Sequence, residues 1–371
     1  KWMTVLSKQE SLMMKERYLK KMTKVNKKIY PKCLFTTKAK ATYISHDGYV
    51  RPCCFVHRHN KTERDEPWMV DFKHNIGSGK SLEEMFSTPE YTDFFNRLKT
   101  GKDIPERCYE VCGKVQTNVG TDHRKEKTTN EVPRWTKAVE QSYEETYKVQ
   151  KKLQVDVTHR CSLGCPKCMR FEANWTDPVT KKKYALAHQV LKKVELQVDD
   201  FKKLFKENPQ MCKGDVDFCG TWSDAIYHPE FLEICRVIKN NGANINIATN
   251  GSRKKPEWWD ELYSMMDPAW DSIVFGMDGL KDTAHLYRKY IIYDDVITAM
   301  KKGAEAGFNK NKWSFIVFNF NQHQVYEAEQ LAKEIGIAFE IVKSHRWDGP
   351  NDPYIPTKEW LPQSTIKEYN L

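Results

Sequence analysis

From Leu153 onward the apolar positions follow two periods in turn. Runs with period two, rich in β-branched and aromatic residues, predict strands at 153–158, 215–220, 244–250, 271–279, 313–321 and 338–343. Between them, apolar residues at helical spacing predict helices at 229–241, 257–266, 294–306 and 324–335. Gly242, Gly307 and Gly336 follow three of these helices, where a left-handed C-terminal residue belongs. Six strands joined by helical crossovers read as a parallel α/β domain over 151–346. One longer excursion, 170–211, interrupts the alternation with a Lys-rich loop at 181–183 and a helix from Asp199.

Upstream the pattern changes. Residues 31–116 carry short strands around the Asp47-Gly48 turn and helices at 81–86 and 89–99. This reads as a small α+β domain with too little regular structure to stand without a staple. A polar linker over 117–150 separates it from the α/β domain. Pro350, Pro353, Pro356 and Pro362 predict an extended tail over 347–371, draped on the surface.

Composition narrows the class. With 371 residues, 40% of them hydrophobic and 12% aromatic, the chain has core for two or three domains, and disorder and collagen-like repeats are excluded. No apolar run approaches the length of a membrane span. No basic start followed by an apolar core and a cleavage site is visible, so the expected location is cytoplasmic. The net charge of +10 is concentrated in residues 1–28, where nine Lys and Arg against two Glu give +7. Residues 1–30 thus read as a basic helical arm, with Trp2, Val5, Leu6, Leu12, Met13, Leu19 and Met22 among its lysines. Its plain reading is a solvated helix, and its alternative is contact with a membrane surface or nucleic acid. The rest of the chain carries only +3, too little for a nucleic-acid groove across the main body.

Cysteine usage is the sharpest feature. The 11 cysteines fall in groups: Cys33; Cys53 and Cys54; Cys108 and Cys112; and Cys161, Cys165 and Cys168. Cys212, Cys219 and Cys235 are scattered and expected to pack as small hydrophobes in the barrel wall. An odd count in tight clusters points to reduced thiols engaged in metal or redox chemistry rather than a disulfide framework. The triplet, C-x-x-x-C-x-x-C, lies in the loop after the first parallel strand. Three thiolates can hold three irons of a four-iron cubane and leave the fourth iron open to a substrate. A structural zinc site needs a fourth ligand, and His159 is the sole nearby candidate.

This spacing, together with the strand-end segments downstream of it, resembles the radical SAM enzymes, which use a cluster and S-adenosylmethionine. The second strand ends in Phe218-Cys219-Gly220-Thr221-Trp222-Ser223-Asp224-Ala225, similar to the family's segment that binds the methionine amino group, with Asp224 at the acidic position. Ser223 and Ala225 stand where Gly and Pro are frequent. Ala248-Thr249-Asn250-Gly251 and Gly276-Met277-Asp278-Gly279 look like the next two strand-end signatures, with Gly276 where Ser is common. The resemblance implies cofactor-binding roles for Ser223, Asp224, Thr249, Asn250, Asp278 and Arg288, the last against the methionine carboxylate. Lys167 replaces the aromatic residue that often faces the adenine.

The upstream cysteines, with Asp47-Gly48-Tyr49-Val50-Arg51-Pro52-Cys53-Cys54 and Ser81-Leu82-Glu83-Glu84-Met85-Phe86, are similar to the SPASM-type auxiliary domain. That resemblance implies a second [4Fe-4S] cluster held by Cys33, Cys53, Cys108 and Cys112, although four thiolates satisfy zinc equally well. The domain precedes the barrel here, whereas its usual place is after it.

Taken together, the expected fold is a partial (β/α)6 radical SAM barrel with a small cysteine-rich N-terminal α+β domain. The resemblance implies reductive cleavage of S-adenosylmethionine at a [4Fe-4S] cluster on Cys161, Cys165 and Cys168, then hydrogen abstraction from a peptide or protein side chain. An electron donor such as flavodoxin or ferredoxin is implied as a partner. RNA or a small metabolite is the alternative substrate, and a zinc-stabilised interaction module is the non-enzymatic alternative. No catalytic side chain is singled out by the sequence.

Overall fold

The computed structural model describes residues 42–54, 66–100, 103–105, 108, 152–168, 174–176, 183–185, 194–220, 223–344 and 347–371. The basic arm, Cys33, Cys112 and the 117–150 linker lie outside those residues.

The described chain opens with a hairpin of β1 (Thr42–Ile44) and β2 (Val50–Arg51), paired antiparallel through Tyr43↔Arg51. Gly48 makes its turn with φ of +84°, a left-handed conformation that a side chain there would strain, and an added Cβ would meet the Asn75 amide at 2.8 Å. Two short helices follow, α1 (Leu82–Phe86) and α2 (Pro89–Thr100). A capping box starts α1: Glu84 N donates to Ser81 Oγ at 3.2 Å and Ser81 N to Glu84 Oε2 at 2.7 Å.

The barrel runs β3 (Lys152–Val155), β4 (Asn174–Thr176), β5 (Lys183–Ala185), α3 (Val198–Glu207), β6 (Asp215–Phe218), α4 (Phe231–Asn240), β7 (Asn244–Thr249), α5 (Pro256–Met265), β8 (Ser272–Gly276), α6 (Ala284–Tyr287), α7 (Tyr293–Glu305), β9 (Lys312–Ile316), α8 (Val325–Ile335) and β10 (Ala338–Val342). Strands β3 and β6 to β10 pair in parallel in sequence order, as successive crossovers of one hand give. Strands β4 and β5 form a separate two-stranded ribbon in the excursion after the cysteine loop.

Alternation divides the sheet into two faces. Leu153, Val216 and Ile245 lie in register on one face, and Phe275 with Trp313 continues it. All are buried in the core with Phe231, Trp259, Leu262, Val296 and Ala328 of the helices. Each such large apolar side chain contributes about 1.5–3 kcal/mol by leaving water. The opposite, concave face carries Gln154, Asp217, Asn246 and Ser272 in register. There Ser272 Oγ donates to Asn246 Oδ1 (2.8 Å) and Asn246 Nδ2 to Asp217 Oδ1 (3.0 Å), so a polar rung crosses three strands.

The N-terminal domain is not a separate body. Strand β1 pairs in parallel with β3 through Tyr43↔Gln154, which makes one eight-stranded sheet. Ile44, Val50, Leu82, Phe86, Tyr91 and Phe94 belong to the same apolar core as the barrel. The Leu82 amide at the start of α1 donates to Asn208 Oδ1 just beyond α3 (2.7 Å).

Three expectations are corrected. Strands end one to five residues before the apolar patterns do, because the strand-end residues turn to use their side chains. After β9, Asn321 Oδ1 accepts from Phe318 N (2.7 Å) while its Nδ2 donates to Ile316 O (2.9 Å), which folds 316–321 into a turn. The tail is not merely draped. Pro362 caps α9 (Gln363–Tyr369) rather than prolonging an extended chain, and Leu361, Ile366 and Trp347 are buried against Leu163, Cys165, Tyr287 and Phe318. Cys235 is fully buried and Cys212 packs against the core, as a wall residue should, but Cys219 alternates with the buried Phe218 and stays half-buried outside that core. No helix among the described residues is long and apolar enough to cross a membrane.

Candidate functional site

The C-terminal ends of β3, β6, β7 and β8 converge, as the site-forming edge of a parallel sheet does. The cysteine loop leaves β3 after Thr158. Its backbone is tied at two places: Gly164 N donates to Lys289 O (3.1 Å), and Asp224 N donates to Arg160 O (2.9 Å). A Cβ at Gly164 would stand 2.9 Å from the Tyr290 ring, which would have to shift to admit it. Cys165 is buried, Cys161 and Cys168 are half-buried, none of the three is in a disulfide, and they pack on one apolar cluster. Burial pushes the Cys165 thiol up, and the Arg288 guanidinium beside it works the other way.

Asp224 anchors the next strand end. Its Oδ2 accepts from Thr249 Oγ1 (3.0 Å), Asn250 N (2.7 Å) and Asn250 Nδ2 (2.5 Å). The Ile226 amide lies near the carboxylate, yet no donor among the described residues reaches hydrogen-bond geometry at Oδ1, and the buried Ser223 Oγ beside it also has none. Burial raises the Asp224 carboxyl to about 6, against these donors. The site thus holds a 3% exposed carboxylate with one oxygen unsatisfied, the arrangement a cationic ligand would complete.

Asn250 joins this carboxylate to the cysteine loop. Its Nδ2 also lies 3.7 Å from Cys161 Sγ, and its Oδ1 accepts from Ser252 N (3.0 Å). The Tyr227 hydroxyl accepts from Ser162 Oγ (2.6 Å) and donates between Asn250 Oδ1 (3.0 Å) and Ser252 O (2.7 Å). On the far side, Arg288 Nε donates to the fully buried Asp278 Oδ2 (2.6 Å), and Asp278 Oδ1 accepts from Ile316 N (2.8 Å). The carboxylate keeps Arg288 charged despite burial. Gly276 has a steric reason: a Cβ would lie 3.0 Å from Arg288 Nη2, so glycine leaves the guanidinium its space.

The structure therefore brings together Cys161, Cys165, Cys168, Ser223, Asp224, Thr249, Asn250, Asp278 and Arg288. Sequence reading did not single out Tyr227, Ser162 or Glu195. Glu195, which takes a bidentate pair from Arg160 Nε (2.8 Å) and Nη2 (3.0 Å) and a bond from Thr158, sits in the excursion with no motif around it. Lys167 does not point free toward a ligand. Its Nζ meets Asp352 Oδ2 (2.5 Å) and Asp348 Oδ2 (2.6 Å) of the tail.

No three His, Cys, Asp or Glu side chains among the described residues converge on a single-ion site. A cubane asks for something else, one thiolate per iron, and three cysteines outside any disulfide, on one loop above an apolar floor, fit that donor set. In the N-terminal domain, Cys53 and Cys108 pack against the core while Cys54 enters a helical turn. The chain is extended only through Arg51, so strand alternation does not decide between Cys53 and Cys54.

A profile of the radical SAM superfamily matches residues 155–332, and a profile of the SPASM iron-sulfur cluster-binding domain matches residues 33–113. A tungsten-containing aldehyde ferredoxin oxidoreductase cofactor-modifying protein of Pyrococcus furiosus is 29% identical over 130 residues, 35% of this chain and 31% of that protein. Streptococcus suis SuiB bound to S-adenosylmethionine is similar over 76% of this chain and 57% of its own, at 14% identity and a TM-score of 0.41. A radical SAM methyltransferase from Sphaerobacter thermophilus is similar over 58% of this chain and 61% of its own, at 14% identity and a TM-score of 0.37. The chain spans about a third of the length of the curated relative and under two thirds of either solved structure. With the two profiles falling on the cysteine-bearing barrel and on the cysteine-rich domain before it, the chain carries a radical SAM domain and, ahead of it, a SPASM iron-sulfur cluster-binding domain.

Proposed function

We propose that the chain is an enzyme that reductively cleaves S-adenosylmethionine and abstracts hydrogen from a peptide or protein side chain. The observation that carries this is the unsatisfied, buried oxygen of Asp224 beside Ser223, linked through Asn250 to Cys161. A carboxylate in that setting favours an ammonium, and the methionine end of S-adenosylmethionine has one next to its sulfonium. Cys161, Cys165 and Cys168 would hold a [4Fe-4S] cluster, with the methionine carboxylate reaching toward Arg288. When bound, that cluster supplies one electron to the sulfonium and so generates a 5′-deoxyadenosyl radical.

The chain's own part is placement. Thr249 and Asn250 orient the Asp224 carboxylate, Asp278 orients Arg288, and Tyr227 locks Asn250 to Ser162 of the cysteine loop. Holding the ammonium and the carboxylate of the methionine end would fix the position of the neighbouring sulfonium, an advantage of position rather than of acid-base chemistry. The polar concave face below, with Gln154, Asp217, Asn246 and Ser272, is suited to a polar substrate segment. The SPASM domain, continuous with that sheet through β1, favours the peptide reading, and Cys33, Cys53, Cys108 and Cys112 would hold a second [4Fe-4S] cluster there. A flavodoxin or ferredoxin would deliver the electron. The test is 5′-deoxyadenosine formation by anaerobically reconstituted protein under dithionite. Iron and sulfide incorporation without any 5′-deoxyadenosine would overturn the reading.

A further inference from the structure

The position just before Cys168 is occupied by a lysine whose partners come from the other end of the chain. Lys167 is 9% exposed, so its stem is buried in the cysteine loop, and its ammonium sits between Asp352 and Asp348. Asp352 is held ready for it. Its Oδ2 also accepts from Asp348 N (2.7 Å) and its Oδ1 from Tyr354 N (2.9 Å), and its side chain is fully buried. A surface ion pair would contribute little, but here one carboxylate is wholly desolvated, and loss of its cation leaves a buried charge without a counter-ion.

The segment that carries these aspartates also forms the apolar wall behind the thiols. Trp347, Leu361 and Ile366 are buried with Leu163, Cys165, Tyr287 and Phe318, and Cys161 and Cys168 pack against the same cluster with Tyr354 and Tyr369. Further ties fix the wall: Asn319 Nδ2 donates to Pro353 O (2.7 Å), Thr357 N to Gln322 Oε1 (2.9 Å) and Tyr369 OH to Trp347 O (2.8 Å). Among the described side chains, Lys167 is the one that fastens the cysteine loop to this wall by charge.

We propose that Lys167 is a positioning residue that clamps residues 347–371 across the cysteine loop, so that the C-terminal segment, and not the barrel alone, seals the iron-sulfur site from water. Solvent access is one of the levers that set the stability and potential of such a cluster. The inference rests on the reading of Cys161, Cys165 and Cys168 as cluster ligands.

The test uses the full chain with Lys167→Met, which keeps the stem and removes the charge, and Lys167→Arg as the conservative variant. Hydrogen exchange is followed separately in 347–371 and in Asn244–Thr249, with and without iron and sulfide, and cluster absorbance is followed on exposure to air. The expected result for Lys167→Met is about tenfold faster exchange confined to 347–371 and about tenfold faster bleaching in air. Lys167→Arg should stay close to wild type. Should Lys167→Met fail to fold, Asp348→Asn serves instead, because that side chain is 88% exposed, and two- to threefold changes of the same kind are expected. Exchange and bleaching at wild-type rates in the variant that folds would overturn the clamp. Acceleration spread equally over Asn244–Thr249 would overturn it too, as a general loss of stability. If the wild-type chain takes up no iron and sulfide, the cluster reading fails, while the exchange measured without iron still decides whether the clamp exists.

Discussion

Tyr43 donates its hydroxyl hydrogen to Asp156 Oδ2 across 2.6 Å, and both side chains are almost wholly buried. The two residues are 113 positions apart and belong to different domains by sequence. Their bond lies on the concave side of the seam where β1 joins β3, two residues along from Gln154, the register partner of Tyr43. Burial, followed by the nearby Asp156 charge, pushes the Tyr43 phenol well up, so it stays a donor at any physiological pH. The cysteine-rich domain is thus bonded directly to the strand that delivers the cysteine triplet.

Tyr43→Phe should therefore destabilise the whole chain and not only the N-terminal domain. Removing one donor from a buried carboxylate costs about 1–3 kcal/mol. Denaturant unfolding followed by probes in each domain should show one transition shifted by that amount, whereas two separated transitions would mean the domains fold independently.

Asp224 sets a pH dependence. Its carboxyl is raised from the ordinary 3.8 to about 6 by burial, so between those values the folded chain holds a proton that the unfolded chain has released. Stability should fall as pH rises through this window, by about 3 kcal/mol in all. Binding of S-adenosylmethionine, whose ammonium needs the ionised form, should instead tighten up to about pH 6 and then level off. Asp224→Ala should weaken binding roughly ten- to hundredfold with cluster content retained. Calorimetry across pH 5 to 8 checks both, and a flat affinity profile would assign the ammonium to another group.

For the triplet, alanine at Cys161, Cys165 or Cys168 should each abolish 5′-deoxyadenosine formation under dithionite, because in the proposed cluster every thiolate would serve a different iron. Full activity in any single variant would remove that residue from the ligand set.

Between the adjacent cysteines of the N-terminal domain, Cys53 is the expected ligand. It directly follows Pro52 and packs with Cys108 against the core, whereas Cys54 does not. Cys53→Ala should lose about one four-iron cluster's worth of iron and sulfide with the triplet cluster intact, and Cys54→Ala should lose none. The reverse pattern would exchange their roles.

Tyr227→Phe removes the hydroxyl that couples Ser162 to Asn250. Loss of one such bond costs about 0.5–1.5 kcal/mol, so binding of S-adenosylmethionine should weaken by about two- to tenfold without loss of iron. An unchanged affinity would show that Asn250 is held by Asp224 and Ser252 alone.

Much of the barrel was legible in the chain because its determinants are local. Apolar periodicity marked β3 and β6 to β10 and their helices, and the spacing of Cys161, Cys165 and Cys168 grouped them, since neighbouring residues in one loop stay close in space. Asp224 was singled out by its place in a strand-end segment, and Arg288 by the resemblance at Tyr287-Arg288. What local pattern could not supply were relations between distant segments. Nothing near Lys167 announces Asp352, 185 positions away, and nothing near Tyr43 announces Asp156. The prolines of the tail spoke for an extended strap, yet burial of Trp347, Leu361 and Ile366 against the cysteine loop outweighed that local preference. Local pattern determined which residues form strands, helices and the cysteine loop, because backbone sterics and side-chain alternation act over a few residues. Tertiary structure alone decided which of them share a desolvated space, because burial and ion pairing depend on distance in the fold rather than along the chain.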